Sequence, residues 1–83
     1  MKELSRRLEI ATAILKELSQ GSARRSMLEK HIFHSHDITV SRFRCMMAFL
    51  VKDGDIEKLS GDRFTPYRIT AKGEAFLAWR AKA

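Results

Sequence analysis

Residues 38–59 read ITVSRFRCMMAFLVKDGDIEKL, and the fold turns on this stretch. Val40, Phe43, Met47, Leu50 and Val51 recur at helical spacing and predict one apolar side of an amphipathic helix. Projected at about 100° per residue, Ser41, Arg42, Cys45, Ala48 and Lys52 fall on the other side, with Arg44 at the flank. Thr39 stands where an N-cap is needed, because its hydroxyl can accept an otherwise unpaired backbone N–H. Gly54, behind Lys52 and Asp53, stops the helix. After it the period shortens, and 55–59 and 64–70 read as two short strands around a Ser60-Gly61-Asp62-Arg63 turn. Pro66 restricts its segment to an edge strand, which both members of a two-stranded hairpin are.

Upstream, Leu4, Leu8, Ala11, Leu15 and Leu18, flanked by Ile14, predict a first helix that ends before Gly21. Ser22 is the expected cap of a second helix that begins at Ala23, takes Met27, Leu28 and Ile32 as its apolar positions and fades at 34–37. No strand pattern precedes it. Downstream, Thr70 caps a last helix with Ala75, Phe76 and Trp79 on one side, while Gly73 weakens its first turn. Leu77 and Phe49 fall off the apolar sides of their helices and are expected at the surface. The order is helix, helix, helix, strand, strand, helix: an α+β chain, mainly helical, and one domain over 1–83.

Composition narrows the function. Eighty-three residues with 45% hydrophobic side chains support one modest core and exclude a multidomain enzyme. Sixteen Lys and Arg against ten Asp and Glu give a net charge of +6, which favours polyanionic partners without selecting one. The single Cys45 rules out an intrachain disulfide and suits a reducing, cytoplasmic setting. The longest apolar run, Met46 to Val51, is far shorter than the roughly 20 residues of a membrane span. No secretory pattern follows the charges of MKELSRRLEI, so neither export nor membrane insertion is expected. There is no Gly-rich phosphate loop, no paired-carboxylate arrangement and no nucleophile with matched base and acid, so no enzymatic activity and no cofactor are expected. His31, His34 and His36 crowd into six residues beside Asp37, but a structural metal site normally pairs two short ligand clusters. The second cluster is missing, and no metal is expected.

Two stretches carry a family likeness: 38–59, with its Thr-Val-Ser-Arg start and Lys-Asp-Gly-Asp-Ile exit, and YRITAKGEAFL at 67–77. Over about 22–77 the chain resembles the winged helix-turn-helix family, particularly its small prokaryotic transcription regulators. The resemblance implies three helices, a β-hairpin wing and a C-terminal helix. It also implies sequence-specific binding of double-stranded DNA, with a recognition helix at about 39–53 in the major groove and a wing at about 55–70. Such a protein would regulate transcription by occupying an operator, as a homodimer joined through its first and last helices. Leu4, Leu8, Leu77 and Trp79 are the candidates for that contact.

The residues themselves fit this picture. Ser41 and Arg42 near a helix N-terminus can reach base edges, and an arginine can pair with guanine through two hydrogen bonds. Thr39, Arg44 and Cys45 adjoin them, while Arg24 and Arg25 open the second helix, where backbone N–H groups already favour a phosphate. Lys58 and Arg63 are expected contacts from the wing. Charge is uneven: in 55–70 Lys58, Arg63 and Arg68 are cancelled by Asp55, Glu57 and Asp62, whereas 22–44 holds five cations against Glu29 and Asp37. The competing class is a winged helix that contacts a protein instead of DNA, with Phe49 or Leu77 as its anchor.

Overall fold

The apolar spacing of the N-terminal segment produces helix α1, Lys2–Leu18, which buries Ile10, Ala11, Ile14, Leu15 and Leu18 along one face. The computed structural model describes residues 2–59 and 66–82, with side chains from residue 6 onward. Leu4 and the hairpin tip, including Arg63, therefore lie outside the described side chains. Helix α2, Arg25–Ser35, buries only Leu28 and Ile32; Met27 is exposed, contrary to the sequence expectation. The start of α2 also differs. Arg24, not Ser22, holds the N-cap position, and no side chain caps it. Ala23 is extended instead and exchanges two backbone hydrogen bonds with Tyr67, N–H to O at 3.0 and 2.8 Å. A one-residue strand has no periodicity to read, which is why the sequence shows no strand there.

Helix α3, Val40–Asp53, follows the turn after α2. Thr39 accepts from the Arg42 N–H at 3.2 Å, and Gly54 ends the helix in the left-handed region at φ 85°, where a side chain would be strained. Phe43, Met47 and Leu50 are buried. Val40 and Val51, expected to join them, are 46% and 41% exposed, because the core meets a narrower arc of α3 than the sequence stripe covers. Phe33 meets Phe43 edge-on, with ring centroids 5.6 Å apart, and fastens α2 to α3.

Strands β1, Ile56–Lys58, and β2, Tyr67–Ile69, pair antiparallel with Ile56 opposite Ile69 and Lys58 opposite Tyr67. Ala23 lies on the other side of Tyr67, so three backbone segments run side by side there. Pro66, which lacks an N–H, still contributes its carbonyl to the Leu59 N–H.

Helix α4, Ala71–Lys82, closes the fold against α1 and β2. Its cap, Thr70, ties three elements together. The hydroxyl accepts from the Gly73 N–H and lies 2.5 Å from the Gly54 carbonyl, while the Thr70 N–H donates to Asp55. Phe76 and Leu77 pack on the core, whereas Trp79 is 59% exposed. Leu77 thus corrects its expected surface position: α4 is covered from two directions, which a single helical stripe does not represent.

Candidate nucleic-acid interface

Burial of Phe43, Met47 and Leu50 fixes which way α3 faces. Ser41, Arg42, Arg44, Cys45, Ala48 and Lys52 are all exposed, as their helical positions require. The first turn of α3 holds no acidic residue. Thr39 is exposed too, but its hydroxyl oxygen is engaged by the helix cap. Its first role is to hold the helix start that carries Ser41 and Arg42.

At α2, Arg24 and Arg25 are exposed around a helix N-terminus with neither a side-chain cap nor an acidic first turn. Arg25 lies 3.8 Å from Glu29, a half-exposed pair that weakly offsets its charge. The Ala23–Tyr67 pairing sets this end of α2 beside the hairpin, and Tyr67 faces Lys58 across the sheet. Backbone pairing therefore sets the segments of Lys58 and Arg24 on the two sides of Tyr67, one strand apart. Arg68, by contrast, is paired with Glu57 across the strands. Among the described residues, no ion pair involves Arg24, Arg42, Arg44 or Lys58.

The sequence reading missed a groove beside α3. Arg6, Arg7 and Leu8 of α1 form one wall, and Arg42, Cys45, Met46 and Phe49 of α3 form the other, around a cavity of about 670 Å³. No residue pattern announces it, because it depends on how α1 crosses α3.

Two carboxyl groups lie at the far end of this groove. Burial pushes the Asp55 carboxyl above the usual range, and its hydrogen bond to Asp53 adds to the effect. The Asp53 carboxyl is held below that range, first by this hydrogen bond and then by Lys72, whose ammonium lies 3.5 Å away. The two shifts oppose each other: the pair loses a proton more readily from Asp53 than from Asp55.

The histidines are dispersed in role. His31 Nε2 lies 3.1 Å from a Glu17 carboxylate oxygen, and His36 Nδ1 is buried with no hydrogen-bond partner among the described residues. Among the described residues, no three His, Cys, Asp or Glu side chains converge as a metal would require. No described helix is long and apolar enough to cross a membrane.

No protein-family model matches the chain, and no curated protein matches it as a relative. Solved structures do. H. salinarum RosR grown from NaBr superimposes with a TM-score of 0.74 at 18% identity, covering 88% of this chain and 69% of that one. A complex structure of hsRosR-S1 gives 0.72 at 19% identity, covering 87% and 67%. At such identity the likeness speaks for architecture, and with the four helices and the hairpin it establishes that this chain has the winged helix-turn-helix fold.

Proposed function

We propose that the chain is a sequence-specific double-stranded DNA-binding regulator of transcription, acting in the cytoplasm by occupying an operator. One observation carries this reading. The core fixes α3 so that Ser41, Arg42 and Arg44 point outward from its first turns, with no described carboxylate paired to either arginine. On this reading Arg42 and Ser41 reach base edges in the major groove, and Cys45 lies against the groove wall. Arg44, Arg24 and Arg25 hold phosphates, and Lys58 and Arg63 add contacts from the wing. The similarity to RosR structures supports the fold that such docking uses. Binding, not catalysis, is the activity.

Enrichment of bound fragments from random duplexes tests the reading, followed by mobility shifts with Arg42→Glu. A recovered consensus whose binding is lost in the variant supports it. Equal recovery of all sequences at fixed salt overturns the specificity. A homodimer belongs to the same proposal: Trp79 on α4 is 59% exposed, whereas Leu8 and Leu77 are partly spent on packing within the chain. Sedimentation of the wild type and Trp79→Ala checks it, and a palindromic consensus would agree with it. Phe49, 59% exposed, favours the protein-interaction alternative, in which Phe49→Ser abolishes partner capture while Arg42→Glu leaves it intact.

A further inference from the structure

The groove between α1 and α3 has a polarity of its own. Arg42 occupies the first turn of α3 and Asp53 its last residue, eleven positions or about 16 Å along the helix axis. Arg6 belongs to the Arg42 end, because its guanidinium donates to the Asp37 carbonyl, 3.2 Å away, in the turn just before α3. Arg7 adjoins it. Three arginines therefore gather there against the single carboxylate of Asp37. At the other end Lys72 offsets Asp53, and Asp55 is buried. Between the ends the walls are apolar: Leu8, Met46, Phe49 and Phe76. The cavity, about 670 Å³, lies inside the roughly 300–1,000 Å³ range of small-molecule sites.

We propose that this groove binds an amphipathic monoanion, an aliphatic or aromatic body bearing one carboxylate. Its head group lies among Arg6, Arg7 and Arg42, and its apolar body runs over Met46 and Phe49 toward Phe76. Guanidinium groups match a carboxylate in geometry as well as charge. A compact inorganic anion would leave the apolar walls wet, and a neutral chain would leave the arginines without a partner. Arg42 is also the residue assigned to base contact, so ligand and DNA compete for it; this last consequence rests on the DNA-binding reading, whereas ligand binding itself does not.

Cys45 offers a local readout, being the only thiol, exposed, and part of the groove wall. Its alkylation by N-ethylmaleimide is followed in the full chain without DNA, while decanoate, decan-1-ol or decyltrimethylammonium is titrated below micelle-forming concentrations. Decanoate is expected to slow the reaction saturably, at a concentration at least about tenfold lower than either analogue. Arg42→Gln is expected to raise the decanoate requirement about tenfold and leave decanol unchanged, the change of one charge-assisted contact. Phe49→Asp weakens both, and thermal melts of the variants verify that they fold. Equal slowing by all three head groups, or none by decanoate, overturns the proposal. So does protection that appears on raising protein concentration alone, with doubled mass in sedimentation, since a second copy then fills the groove. Decanoate protection without any DNA binding would sink the regulatory reading and leave the ligand site standing.

Discussion

A methyl group on Gly73 would come within 2.3 Å of the Asp55 carbonyl oxygen and 2.7 Å of Ile69 Cγ1. One obstacle is backbone, so α4 would have to move away from the junction of α3 and β1. Alanine is the better helix former by about 1 kcal/mol, but crowding of this kind costs more. Gly73→Ala is expected to lose about 2 kcal/mol in urea unfolding. By helix propensity alone this glycine is a weak point of α4; packing makes it a requirement of the fold. Asp55 gives a second prediction, with the sign set by its raised carboxyl pKa. The native state holds a proton there that the unfolded chain releases, so the Asp55 contribution to stability falls as pH rises through the interval between the two pKa values. Asp53 is lowered and acts oppositely, losing its contribution as pH falls through its native pKa. Asp55→Asn keeps a donor to Asp53 without a buried charge. It is expected to raise the urea midpoint at pH 8, with a gain that shrinks as pH falls through the carboxylate range.

At the scale of elements, α3 is capped at both ends by residues that the sequence identifies, Thr39 and Gly54. Thr39→Ala is expected to cost about 1 kcal/mol in thermal or urea unfolding. It is also expected to weaken DNA binding less than Arg42→Glu does, because its direct hydrogen bond serves the cap. Thr39, Gly54 and Thr70 are legible because capping is local: the chemistry of one residue meets a backbone group within a few positions. The same holds for Phe43, Met47 and Leu50, whose burial follows from helical period. Ala23, Leu77 and the pair Arg6 and Arg7 are not legible in that way. Ala23 pairs with a residue on the far side of two helices and a strand, Leu77 is half-buried because α4 meets both α1 and β2, and the two arginines meet Arg42 only through helix crossing. Local pattern reports which face of a helix is apolar, but not how many neighbours will cover it.

Across the whole molecule, charge placement sets the response to salt. The hairpin segment is neutral in sequence, and the pairing of Arg68 with Glu57 further reduces what it can offer to phosphate. If roughly six phosphates are neutralised, log affinity is expected to fall with log salt at a slope of about −5. Replacing Arg24 and Arg25 together with Ala should flatten that slope by about 1.8, and Lys58→Ala by no more than about 0.9, across all sequences alike. Filter binding at a series of salt concentrations measures both.

The Ala23–Tyr67 bridge also has a kinetic meaning. Its partners stand 44 positions apart, whereas Lys58 and Tyr67 in the hairpin stand nine apart. Closing the longer loop costs about 1.4 kcal/mol more in chain entropy, for two hydrogen bonds and little side-chain burial. The bridge is therefore expected to form after the folding barrier, once helices and hairpin are in place. Ala23→Pro removes one of its donors and should quicken unfolding in stopped-flow while hardly slowing refolding. The start of α2 would then be the last part of the chain to settle and the first to come loose.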